Sequence, residues 1–84
     1  SNVKTCGSTF KNPEGEKAWE LIKRSHCENL SVGDAKISKK HSNFFINNGK
    51  ATSKQIESLI TKVRDKVLKK TGIDLELEIK IVGD

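Results

Sequence analysis

Across the single glycine at position 72 the hydrophobic period of this sequence switches from that of a helix to that of a strand, and no other feature constrains the fold as tightly. Ile56, Leu59, Ile60, Val63, Val67 and Leu68 recur at spacings of three and four. They therefore share one stripe of an α-helix, with Lys54, Glu57, Lys62, Asp65, Lys66 and Lys69 turned away from it. The spacing predicts a helix over 53–70. Thr52, with Gln55 three residues on, forms a capping box at its start, and Lys69, Lys70 and then Gly72 mark its end. Beyond Gly72, Ile73, Leu75, Leu77, Ile79 and Ile81 alternate with Asp74, Glu76, Glu78, Lys80 and Val82. That alternation predicts a strand over 74–82 with one buried and one largely polar face. An apolar helix stripe needs a surface to cover it, so helix and sheet must lie in two layers.

Upstream the signals are shorter. Ala35-Lys36-Ile37-Ser38 and Asn43-Phe44-Phe45-Ile46-Asn47 carry β-branched and aromatic residues, and the second run closes on Asn48-Gly49, which reads as a turn. Both are predicted strands. A first helix is predicted over 16–25: Ala18, Leu21 and Ile22 share a face, Glu20 lies four residues before Arg24, Pro13 and Gly15 precede it, and Trp19 covers the edge of the face. Before it, Cys6-Gly7-Ser8-Thr9-Phe10-Lys11-Asn12-Pro13 reads as a short extended segment stopped by Asn-Pro. The order is β-α-β-β-α-β, and the fold class is α+β: a two-layer sandwich of two amphipathic helices on a mostly antiparallel sheet, with residues 1–84 forming one domain.

Composition narrows the function classes. At 84 residues there is room for one small core. Apolar residues are 33% of the chain and charged residues 32%, so the core is modest and a stability of ~4 to 13 kcal/mol is expected. The net charge of +5 comes from 14 Lys and only two Arg, Arg24 and Arg64, against 11 acids. Fork-shaped phosphate and guanine contacts favour arginine, and the lysines are scattered, so nucleic acid is not an expected partner. No apolar run approaches the ~18 residues of a membrane span, and Ser1-Asn2-Val3-Lys4 lacks the apolar segment expected of a signal peptide. Cys6 and Cys27 have neither metal-knuckle nor redox-pair spacing, so reduced thiols in a cytoplasm are expected. A chain that opens directly into turn-and-strand sequence reads as a fragment of a longer polypeptide.

Chemistry-bearing motifs are few. There is no glycine-rich phosphate loop, dinucleotide fingerprint or metal-ligand cluster. Four polar residues stand in unusual settings: Ser8 between Gly7 and Phe10, Asn12 before Pro13, His41 between two predicted strands, and Glu78 on the polar face of the last strand. Each also has an ordinary explanation as a turn residue, a turn start, an exposed loop side chain or a solvated acid. On residues alone the reading stops at a small basic α+β domain.

Three ordered segments extend it. Cys6-Gly7-Ser8-Thr9-Phe10-Lys11-Asn12-Pro13 is the first. Ala35-Lys36-Ile37-Ser38-Lys39-Lys40-His41-Ser42-Asn43-Phe44, with Asn47-Asn48-Gly49-Lys50-Ala51-Thr52, is the second. Leu75-Glu76-Leu77-Glu78-Ile79-Lys80, with Gly83, is the third. Together they resemble the C-terminal, substrate-binding domain of the UDP-N-acetylenolpyruvoylglucosamine reductase family. The resemblance implies an FAD- and NADPH-dependent enzyme whose flavin-binding domain is another part of the same chain and whose substrate is the nucleotide sugar UDP-N-acetylglucosamine enolpyruvate. No cofactor is expected on residues 1–84 themselves. It further implies that Ser8 donates the proton that completes the reduction, in a site that excludes water. Glu78 would assist the developing enolate, a role that calls for a protonated or hydrogen-bonded carboxyl. Asn12 and His41 would hold and orient substrate.

The chain departs from the family pattern at Glu28-Asn29-Leu30-Ser31-Val32-Gly33-Asp34-Ala35-Lys36, where the family often has two further basic residues and two further glycines, and at Lys80, where it has arginine. Glu28 and Asp34 add negative charge where an anionic substrate is expected. Two other readings stand beside the enzyme domain: a free-standing small basic binding module without catalysis, and a structural domain without a ligand.

Overall fold

The computed structural model describes residues 8–47 and 49–78. Five elements follow one another: α1 (Ala18–Arg24), β1 (Ser31–Val32), β2 (Ala35–Ile37), β3 (Phe45–Asn47) and α2 (Ser53–Thr71). The sheet order is β1-β2-β3, antiparallel throughout, with Val32 opposite Ala35, Ile37 opposite Phe45 and Lys36 opposite Ile46. Ala35, Ile37 and Phe45 point inward and are buried, whereas Lys36 and Ile46 face out. Helix α2 packs on α1 and on β1 and β2, so the architecture is the expected two-layer α+β arrangement.

Helix α2 follows its sequence signals closely. The Thr52 hydroxyl accepts from the Gln55 amide at 3.2 Å, and the Gln55 side chain accepts from the Thr52 amide at 3.1 Å, which completes the capping box. At the other end Gly72 is left-handed (φ 79°) and its N–H donates to Leu68 O at 2.8 Å. Ile56, Leu59, Ile60, Val63 and Val67 are buried. Leu68, expected on the same stripe, is 42% exposed, because it lies beyond the stripe's edge beside Arg64, Asp65 and Asp74.

Helix α1 is shorter than the predicted 16–25. Lys17 is extended and serves as its N-cap residue, after a turn in which Glu16 N donates to Pro13 O. Its end is set by His26, left-handed at φ 58°, a backbone region disfavoured for a residue with a Cβ. Lys66 Nζ donates to the His26 carbonyl at 3.0 Å and ties this turn to α2.

Strand β1 has no counterpart in the sequence reading. Gly33-Asp34 form a two-residue hairpin turn, with Gly33 at φ 56°. A Cβ on Gly33 would collide with the Gln55 side chain, so the turn lies directly on the first turn of α2. Among the described residues, the first predicted segment and the last strand meet in an antiparallel bridge, Phe10 with Leu77. Residues 79–82 of that strand, like Cys6 and Gly7, lie outside the described residues. Leu77, expected on the buried face, is 40% exposed; the inward positions at this end are filled by Phe10 and Leu75, both fully buried.

The core gathers Phe10, Leu21, Ile22, Phe45, Ile56, Leu59, Val63 and Leu75, each worth ~1.5 to 3 kcal/mol of burial. No helix among the described residues is long and apolar enough to cross a membrane.

Cys27 is a free, fully buried thiol in this core. Burial pushes it above its ordinary titration range, Lys66 partly offsets this, and Glu28 adds to it. The folded protein therefore holds this proton more tightly than the unfolded chain does. The resulting stability is present below the unfolded thiol value of about 8.5 and is lost as pH rises through the folded one. The urea midpoint of the parent is expected to fall more between about pH 8 and pH 10 than that of Cys27→Ala. Equal falls in the two proteins would remove the thiol as the cause.

Candidate functional site

Three chain segments meet at Thr9, which is their junction. Its N–H donates to Asn43 O at 2.7 Å, and its carbonyl accepts from Glu78 N at 2.9 Å. Phe10 follows, in its bridge with Leu77, and Lys11 N donates to Glu76 O at 2.8 Å. The segment that begins at Ser8 is thus tied to the His41-bearing loop through Asn43 and to the Glu78-bearing segment directly.

Ser8 is half-buried and immediately precedes this junction. Glu78 is exposed, with its amide committed to Thr9. Between them, Thr9 is fully buried, and its hydroxyl oxygen has no hydrogen-bond partner among the described residues.

His41 sits in the loop that joins β2 to β3. Ser38 N donates to Phe44 O at 2.7 Å, Phe44 N to His41 O at 2.9 Å, and His41 N to the Ser38 hydroxyl at 3.3 Å, which closes the loop on itself. The imidazole is exposed and lies against the Phe44 ring, centroids 4.4 Å apart. The ring is therefore held by an aromatic neighbour and open to solvent.

Asn12 has a structural task that its sequence position did not reveal. Its Oδ1 accepts from Ala18 N at 2.9 Å, so it caps α1 from six residues upstream, in place of Lys17, whose side chain makes no cap. Such a cap is worth ~1 kcal/mol. Its carboxamide oxygen is thereby committed to the helix.

The residues of the divergent stretch are built into the fold. Asp34 Oδ2 accepts from Lys50 N at 2.8 Å, which links the β1–β2 turn to the chain before α2. Glu28, Ser31 and Lys36 line an open depression of about 180 Å³ to which Ser8, Asn12, His41 and Glu78 do not contribute.

The one long helix among the described residues offers no open N-terminus to a phosphate. The N-terminus of α2, where free N–H groups would receive a phosphate, is closed by its own capping box, and the Gln55 side chain fills the space against Gly33. Gly72 caps the opposite, negative end. Nor does any group of three or more His, Cys, Asp or Glu among the described residues have metal-holding geometry.

The fold is that of a small two-layer α+β domain in which the segments bearing Ser8, Glu78 and His41 are joined through main-chain bonds at Thr9. The chain belongs to the family of the UDP-N-acetylenolpyruvoylglucosamine reductase C-terminal domain, which it matches over residues 1–82. It is 56% identical over 82 residues to the UDP-N-acetylenolpyruvoylglucosamine reductase of Beijerinckia indica, covering 98% of this chain and 26% of that protein. To the reductase of the same name from Rickettsia akari it is 51% identical over 80 residues, covering 95% of this chain and 27% of that one. The crystal structure of UDP-N-acetylenolpyruvylglucosamine reductase from Thermus caldophilus superposes with a TM-score of 0.77 at 39% identity, over 88% of this chain and 26% of that chain. The chain spans about a quarter of the length of the curated relatives it matches.

Proposed function

We propose that this chain is the substrate-binding and proton-donating domain of an FAD- and NADPH-dependent reductase that converts UDP-N-acetylglucosamine enolpyruvate to UDP-N-acetylmuramate, a peptidoglycan precursor, in the cytoplasm. Residues 1–84 act as one domain, with the flavin held by another part of the full-length enzyme. The observation that carries the reading is the junction at Thr9, which ties the Ser8 segment to the Glu78 segment on one side and to the His41 loop on the other.

Bound to the other part of the full-length enzyme and reduced by NADPH, a flavin would supply the hydride for one carbon of the enolpyruvyl double bond. The electron pair is left on the other carbon, next to the substrate carboxylate, and takes the proton of the Ser8 hydroxyl; the serine is reprotonated from solvent. A hydroxyl is a poor acid, so its value depends on placement within hydrogen-bond reach of that carbon in a site closed to water. Glu78 supports the enolate at the substrate carboxyl, and His41 orients the nucleotide sugar. Asn12 contributes through the chain direction it fixes at the start of α1, with its amide nitrogen available to substrate.

The test uses the 84-residue chain beside the full-length enzyme. The short chain is expected to be colourless and to oxidise no NADPH, whereas the full-length protein turns over NADPH beyond one equivalent per flavin only when the enolpyruvyl nucleotide sugar is added. Flavin absorbance in the short chain, or turnover indifferent to the nucleotide sugar, would overturn the division of labour.

A further inference from the structure

We propose that Asn43 is the positioning residue for Ser8, an inference that rests on the proton-donor reading above. Asn43 is 2% exposed and makes three hydrogen bonds to two consecutive residues of the Ser8 segment. Its Oδ1 accepts from Phe10 N at 3.0 Å, its Nδ2 donates to Phe10 O at 2.9 Å, and its own carbonyl accepts from Thr9 N at 2.7 Å.

The side chain here replaces a neighbouring strand. A carboxamide carries one donor end and one acceptor end, so it can satisfy both main-chain groups of a single residue at once. Its orientation is fixed by the same pair: turned over, the NH2 would face the Phe10 N–H and the oxygen would face the Phe10 carbonyl. An aspartate of the same shape keeps the first bond and loses the second, setting a carboxylate against a carbonyl. Glutamine keeps both ends on a stem one methylene longer.

What is clamped is the stretch directly after Ser8. Phe10 is also fixed through its side chain, edge-on to Phe45 at 5.8 Å, and on the far side of Thr9 the Glu78 amide closes the junction. Ser8 therefore leaves a backbone whose next two residues have no freedom to turn. Proton transfer from a hydroxyl to carbon is steeply sensitive to that direction, and a misplacement of ~1 Å can cost ~100-fold.

The experiment uses the full-length enzyme, with flavin-loaded protein counted by absorbance and the folding of this domain checked separately by its resistance to limited proteolysis, because the flavin sits on another part of the chain. Asn43→Asp, Asn43→Ala and Asn43→Gln are compared with the parent and are also combined with Ser8→Ala. Flavin reduction by NADPH is expected to stay within about twofold of the parent in every variant. Reoxidation by the enolpyruvyl substrate is expected to slow ~10- to 100-fold in Asn43→Asp and Asn43→Ala, with a larger solvent deuterium isotope effect and partial recovery in Asn43→Gln. On the Ser8→Ala background the same changes should add nothing, because a residue that acts through Ser8 has nothing left to position.

Parent-rate reoxidation in the single Asn43 variants, equal losses in both half-reactions, or a further slowing on the Ser8→Ala background would overturn this proposal alone. Parent-rate reoxidation in Ser8→Ala would overturn the proton-donor reading and this one with it. Loss of parent-like protease resistance of this domain in all three Asn43 variants makes Asn43 a folding residue, which also overturns it.

Discussion

In the full-length reductase, Ser8→Ala is expected to leave reduction of the flavin by NADPH at the parent rate while slowing its reoxidation by the enolpyruvyl substrate by ~10²- to 10⁴-fold, the loss typical of a missing general acid. The two half-reactions separate because the proton is needed only after hydride has arrived. Ser8 is half-buried, and the backbone after it is held by Asn43, Glu76 and Glu78 rather than by its own hydroxyl, so the substitution removes one oxygen and leaves the segment in place. Stability should change by less than about 1 kcal/mol. Ser8→Cys, which keeps a proton to give, should retain more of the reoxidation rate than alanine does. Stopped-flow traces of flavin absorbance read both steps. Equal losses in the two steps, or wild-type reoxidation in the alanine variant, would leave Ser8 a turn residue.

The second large effect is on stability. Phe10→Ala in the 84-residue chain is expected to cost ~3 to 5 kcal/mol, because the ring is fully buried, packs edge-on against Phe45 and leaves a cavity the neighbours cannot fill. Against a total at the lower end of the ~4 to 13 kcal/mol expected for a chain of this length, that is enough to populate the unfolded state at 37 °C. Ile46→Ala removes a side chain that is 42% exposed on the outer face of β3 and should cost less than about 1 kcal/mol. Urea titrations followed by circular dichroism would compare the two. Similar midpoints would mean that Phe10 is not the keystone its burial makes it.

Legibility from sequence followed the reach of each signal. Helix α2 was readable nearly to the residue, since Thr52, Gln55 and Gly72 act within one turn of themselves and the stripe between them is long. The period-two alternation after Gly72 was a weaker guide: it put Leu77 on the buried face, whereas the interior there is filled by Phe10, a residue almost the whole described length away. Strand β1 was missed because Ser31-Val32 is too short to alternate, although Gly33-Asp34 is a hairpin-turn pair that could have revealed it. Asn12 was read as a turn start beside Pro13; its cap on Ala18 spans six residues, beyond the usual two or three. Asn43 drew no notice as a polar residue ahead of Phe44-Phe45-Ile46, yet a buried asparagine at the mouth of an apolar run is the mark of a side chain with backbone partners. Ser8, Asn12, His41 and Glu78 acquired chemical roles only through family resemblance, because no local period or spacing distinguishes a proton donor from a turn residue.

The bridge between Phe10 and Leu77 has a kinetic meaning as well as a geometric one. Closing a loop of that length costs more entropy than any other pairing in the described fold, and among the described residues the closure consists of one bridge and a few main-chain bonds. Amide exchange at Thr9, Lys11 and Glu78 should therefore proceed through a local opening of lower free energy than the one that exposes α2. The junction at Thr9 is expected to act as the latch of the molecule: on loop length it should fasten last in folding, and a ligand that spanned it would tighten it by mass action.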